Sequence, residues 1–177
     1  MLSTHRIAAL LLVLGLSSCG DASHAAGTIR ATPYELGAVE AGLLGVHHGM
    51  RIRYDGPGRA YGFRVGRSGP EGQVVDTRGL GHSIADEALS LDHVAVATLE
   101  GIQVDGVEHR LLTVRFSGLS GQSSMRTSAL VDDWFPPASG GYGTSLPRAT
   151  EDRDAVPVFD LGFANGEGGM RVEFFVE

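Results

Sequence analysis

The chain has 177 residues, 21 of them acidic and 14 basic, for a formal charge of −7, and every basic residue is arginine. This acidic balance argues against general nucleic-acid binding, which relies on neutralising phosphates, and against a broad attraction to anionic lipid. The 26 glycines follow no triplet period, which excludes collagen, and a single cysteine excludes an internal disulfide.

The first six residues carry one arginine, Arg6, and the run from Ile7 to Leu16 is apolar or small. Such a run is a secretory h-region, too short for the roughly 20 residues that a membrane-spanning helix needs. Leu16-Ser17-Ser18-Cys19-Gly20 follows, and it resembles the lipobox of bacterial lipoproteins. Ser18 is a less common residue there than glycine or alanine. The resemblance covers residues 1 to about 20 and implies removal of residues 1–18, lipid attached to Cys19, and the membrane as a partner through that lipid. Gly20 in place of an aspartate after the cysteine implies transfer to the outer membrane of the cell envelope. An ordinary signal peptide cut near Ala25-Ala26 is the alternative. Residues 19–27 are small and polar, as suits a flexible tether. Without its leader the chain keeps 13 arginines against 21 acidic residues, a charge near −8. Residues 28–177 are long enough for one domain with its own core.

Beyond the tether, glycines punctuate short apolar runs every 8–12 residues, the pattern of an antiparallel all-β domain. Strands are expected near 28–32 and 37–46. A hairpin over 49–66, turning at Gly56-Pro57-Gly58-Arg59, would pair Tyr54 with Tyr61, Ile52 with Phe63 and Met50 with Val65. A further strand lies near 72–77. Residues 83–91 read as one short helix, with Ser83 as its cap and Asp86 completing a capping box. The pair Asp105-Gly106 suits a type I′ turn and centres a hairpin over 93–117, with Val104 opposite Val107, Leu99 opposite Leu112, Ala97 opposite Val114 and Ala95 opposite Phe116. At the carboxyl end, a loop at 165–168 would place Phe163 opposite Met170, Leu161 opposite Val172 and Phe159 opposite Phe174. It would also face Asp160 with Glu173, a like-charge pair. Three hairpins, each with one apolar face, predict an antiparallel β-sandwich, with a partly open β-barrel as the alternative.

Chemistry-bearing residues are sparse. Gly81-His82-Ser83-Ile84-Ala85 approximates a nucleophile elbow, so a serine hydrolase using Ser83 is one reading, yet the elbow needs a buried parallel strand before it, and Asp76-Thr77-Arg78-Gly79 interrupts one. The histidines are not spaced as metal ligands, and the carboxylates Glu151, Asp152 and Asp154 match no EF-hand loop, so neither a metal nor a cofactor is expected. The 49–66 hairpin would gather His47, Arg51, Arg53 and Arg64 on its polar face, a candidate site for a small anion unless acidic neighbours pair with them. Residues 132–155 form the longest stretch without regular pattern. Trp134 and Tyr142 lie there, placed either to stack on a glycan or anchor an envelope protein, or to plug the core. The function expected is a non-catalytic binding or envelope-assembly module on a membrane; a purely structural lipoprotein is the remaining reading.

Overall fold

A computed structural model describes residues 26–58, 60–71, 73–84, 88–119, 124–135 and 141–177. The expected leader, Cys19 and most of the expected tether lie outside the described residues. In chain order the elements are β1 (Ile29–Glu35), α1 (Ala38–Leu44), β2 (His48–Gly56), β3 (Ala60–Ser68), β4 (Val74–Ile84), β5 (Leu89–Val104), β6 (Val107–Gly118), β7 (Ser124–Leu130), β8 (Tyr142–Ser145), β9 (Thr150–Asp152), β10 (Ala155–Phe163) and β11 (Gly169–Val176).

The strands form two antiparallel sheets packed face to face, the expected β-sandwich, and they do not close into a barrel. The first sheet has the order β7-β6-β5-β2-β1-β9 and the second β4-β3-β11-β10-β8. Period-two alternation sends Ile29, Ala31, Met50, Ile52, Ala95, Leu112, Val114 and Phe116 inward from the first sheet, and Phe63, Val65, Leu161, Val172 and Phe174 inward from the second. At the centre, Phe63, Phe116 and Phe174 lie 5.1–5.4 Å from one another, ring centroid to centroid. Along one side the edge strands β4 and β7 meet, where the Thr127 hydroxyl donates to the Leu80 carbonyl. Among the described residues no edge pairing joins the sheets on the β8–β9 side; there the chain crosses from β9 to β10.

The β5–β6 register is the expected one from Val104↔Val107 to Ala95↔Phe116. Both turn residues have positive φ, 51° at Asp105 and 80° at Gly106, as a type I′ turn requires.

Four expectations are corrected. β2 and β3 do not form a hairpin: β2 pairs with β1 and β5, β3 with β4 and β11, and the chain crosses between sheets at Gly56–Gly58. Gly58 packs there against Leu89 and Val176, and Tyr54 donates its hydroxyl proton to the Pro57 carbonyl. The helix expected over 83–91 is absent from the described part of that span: Ser83 and Ile84 end β4, Leu89 begins β5, and 85–87 lie outside the described residues. The helix is α1 instead, within the span read as a strand at 37–46. It packs Ala41 and Leu36 over Val94 and Val96 on the outer face of β5, and Gly45 ends it with a left-handed φ of 67°. Finally, the β10–β11 loop is 164–167, one residue earlier than expected, so Leu161 faces Met170 and Asp160 faces Arg171. Moving the loop by one shifts the register by two, which keeps each side chain on its face.

Candidate functional site

The sandwich has two unlike ends. At one, the Gly27 N–H reaches the Asp55 carbonyl, Gly56 pairs with Leu89, and Ala60 and Glu177 exchange backbone hydrogen bonds. The chain enters from residue 26 at this end and also finishes here. The other end, called distal below, collects α1 and the loop after it, the β3–β4 turn, the β5–β6 turn, the Asp132–Trp134 turn that follows β7 and the β10–β11 loop.

Among the described residues, clefts of about 360–410 Å³ open in the distal half. The first lies between the sheets. Its first-sheet wall is made of small residues, Gly49, Ala95 and Ala97, and the opposite wall of Leu146, Val158 and Phe159, with His47 and His48 at the rim. The inward-facing Ala95 and Ala97 are small and leave the space open; Gly49 faces outward, where a Cβ would stand 2.7 Å from the Ala95 carbonyl oxygen and 3.0–3.1 Å from Val96 and Val94. This cleft shares Val46, Ala97, Thr144 and Phe159 with a second, which continues along Thr98, Leu99 and Glu100 toward Leu44 and Tyr142. Together they form one groove running beside the outer half of β5.

The groove exists because β2 is shorter than β5. Its pairing with β5 runs from Gly56↔Leu89 to Met50↔Ala95, and β2 begins at His48. β6, by contrast, follows β5 as far as Val104. The residues flanking a two-residue turn form a hydrogen-bonded pair, so Val104, Ile102, Glu100 and Thr98 turn their backbone groups toward β6. Leu99, Gly101 and Gln103 turn theirs the other way, where no strand lies among the described residues.

The arginines expected to share a face are in two different sheets. Arg51 makes a bidentate pair with Asp92, at 2.7 and 2.6 Å, and Arg53 stands 3.8 Å from the same carboxylate. Arg64 pairs with Glu173 at 2.8 Å, on the outer face of the second sheet. The hydrogen bonds from Arg51 hold the Asp92 carboxyl below the usual carboxylate range. An anion site built from Arg51 and Arg64 together is therefore not present.

Trp134 is 2% exposed and closes the distal end of the core, so its rings are not open for stacking on a sugar. Arg78 covers it, 4.8 Å from the ring centroid, and also binds Asp133, whose carboxyl it lowers. The indole N–H has no hydrogen-bond partner among the described residues. Tyr142 is 41% exposed at the start of β8, edge-on to Phe135 at 5.8 Å, and it lines the groove. The stretch 132–155 is more regular than expected, with a 3-10 turn at Asp132–Trp134 followed by β8 and β9; residues 136–140 lie outside the described residues. Asp132 accepts from the Arg110 N–H and meets His109 Nδ1 at 2.9 Å, and His109 is the larger cause of its lowered carboxyl pKa.

Ser83 is neither a cap nor at a strand-to-helix turn: it lies within β4, its Oγ 3.9 Å from Met125 Sδ. Of the carboxylates near 151–154, Glu151 pairs with Arg30 at 3.1 Å, and Asp152 accepts from the Asp154 and Ala155 N–H groups. No cluster of three or more potential metal ligands occurs among the described residues. Sequence reasoning missed the groove and the outward edge of β5. The hairpin register held half of the signal, but where β2 stops depends on its neighbours. No family model, curated protein or solved structure matches the chain.

Proposed function

We propose that the chain is a lipid-tethered module of the bacterial envelope that binds a partner, without catalysis, through the distal end of its sandwich. The observation that carries this reading is polarity. The tether would leave from the Gly27 end, whereas the clefts and the outward edge of β5 lie toward the other. At about 3.3 Å per residue, the 16 residues of β5 span about 50 Å between the two ends. A lipid on Cys19 would thus hold one end at the membrane and leave the other accessible. A protein partner is favoured over a small anion or a glycan, because the arginines are paired and Trp134 is buried, while the groove offers apolar walls and backbone donors and acceptors.

Fractionation tests the tether. The parent chain should follow the membranes and take up labelled fatty acid; Cys19→Ser should lose the label and leave the membrane fraction. An unlabelled parent would remove the lipoprotein reading. A photoreactive side chain at Tyr142 should then capture a partner in intact cells, and one at Ser90, near the tethered end, should not.

A further inference from the structure

We propose that the outward edge of β5 is covered by β5 of a second copy, the two strands pairing antiparallel about a twofold axis at Ile102. This rests on reading the distal end as the binding end. Natural sheet edges are usually guarded by proline, lysine, a bulge or a very short strand. The chain has no lysine to guard any edge, and the edge from Leu99 to Val104 also lacks proline and arginine: its register with β6 is unbroken, and Glu100 is its only charge.

The chemistry of the arm fits its own copy. On the outer face Val104 and Val107 are 45% and 56% exposed and stand directly opposite each other, with Ile102 beside them. With the axis at Ile102, the two Ile102 side chains face each other in a non-hydrogen-bonded pair, where side chains approach most closely. Gly101 and Gln103 then exchange backbone hydrogen bonds across the axis, using the outward groups. Glu100 faces Val104 of the other copy rather than another carboxylate. Asp105 of the second copy comes alongside Leu99, toward the exposed His47 and His48, whose rings lie 6.5 Å apart at the groove's rim. The exposed valines of both arms merge into one apolar strip across a four-stranded β6-β5-β5-β6 ribbon. The two tethered ends fall at opposite extremities, so the dimer would lie along a membrane rather than stand on it.

Because Cys19 is the only cysteine, one engineered thiol gives a clear readout. The full chain carrying Ile102→Cys is compared on non-reducing gels with the parent and with Val107→Cys, a more exposed position held off the axis by the intervening strands. Ile102→Cys should give a disulfide dimer at least tenfold more abundant than either. Dimer absent from Ile102→Cys, or equal from both variants, overturns the proposal. A second measurement covers a failure of that variant to fold. Native mass of the parent should be twice the chain mass, and Ile102→Asp should halve it with an unchanged circular dichroism spectrum. A monomeric parent overturns the proposal. Loss of lipid labelling alongside a persistent Ile102 dimer would count against the tether alone.

Discussion

At the scale of single residues, the outer face of the first sheet is held by one carboxylate serving two arginines. Asp92 sits beside Arg51 and Arg53, and its side chain is 47% exposed, so solvent screens much of the attraction. Its folded pKa is depressed, chiefly by the hydrogen bonds from Arg51. The stabilisation is therefore complete above the unfolded value of about 3.9 and is lost as pH falls through the lower folded value. Asp92→Asn should cost about 1 kcal/mol or less at pH 7, by removing the carboxylate that both arginines face. The difference from the parent should begin to shrink as pH falls below about 3.9 and disappear only below the lower folded value, where both chains carry a neutral group at position 92. Urea melts at pH 7 and pH 2.5 check this; an equal difference at both would mean the side chain acts by shape alone. Residue alternation marked Arg51 and Arg64 correctly as outward-facing. It did not reveal that they face outward from opposite sheets, because consecutive strands with inward apolar faces read alike whether they pair or cross.

At the scale of elements, the β10–β11 hairpin shows how one loop residue changes charge pairing while sparing the core. The expected loop put Asp160 opposite Glu173; the observed one gives Asp160 to Arg171, with bonds of 2.6 and 3.1 Å, and leaves Glu173 to Arg64. The like-charge clash in the expected register was itself a legible sign that it was wrong. Gly168 shows why the loop sits where it does. Its φ is 112°, a conformation costly for any residue with a side chain, and a Cβ there would overlap the carbonyl of Ser68, the last residue of β3 before the β3–β4 turn. Gly168→Ala should lower the unfolding free energy by about 1–3 kcal/mol, measured by denaturant midpoint. A midpoint unchanged within error would mean that the β3–β4 turn yields freely. The helix misplaced at 83–91 has a similar physical source. Ile84, Ala88 and Leu91 follow a helical period while Leu89 and Leu91 alternate as in a strand, and only the inward set Leu89, Leu91, His93 and Ala95 of the finished sheet decides for a strand.

At the scale of the whole molecule, the pairing is strongly non-local. β1, at the start of the described chain, pairs with β9, while the carboxyl-terminal β11 pairs with β3 in the other sheet. The first sheet is complete only with β9 and the second only with β11, and one core cluster joins both. Such topologies fold slowly, on the order of milliseconds to seconds, and unfold as one unit. Trp134, the only tryptophan, reports on the distal end of that core, where it lies under Arg78 and beside the Asp132–Asp133 turn. If the distal end is rigidly part of the sandwich, tryptophan emission and far-ultraviolet circular dichroism should lose their native signals at the same denaturant concentration. An earlier fluorescence transition would instead mark the Trp134 cap as a separately opening unit. The distinction bears on the proposed binding mode. Strand pairing at β5 needs the edge held straight by β6 and by the core beneath Leu112, so coincident transitions fit a preformed edge, and an early distal transition would require the edge to order as the second strand arrives.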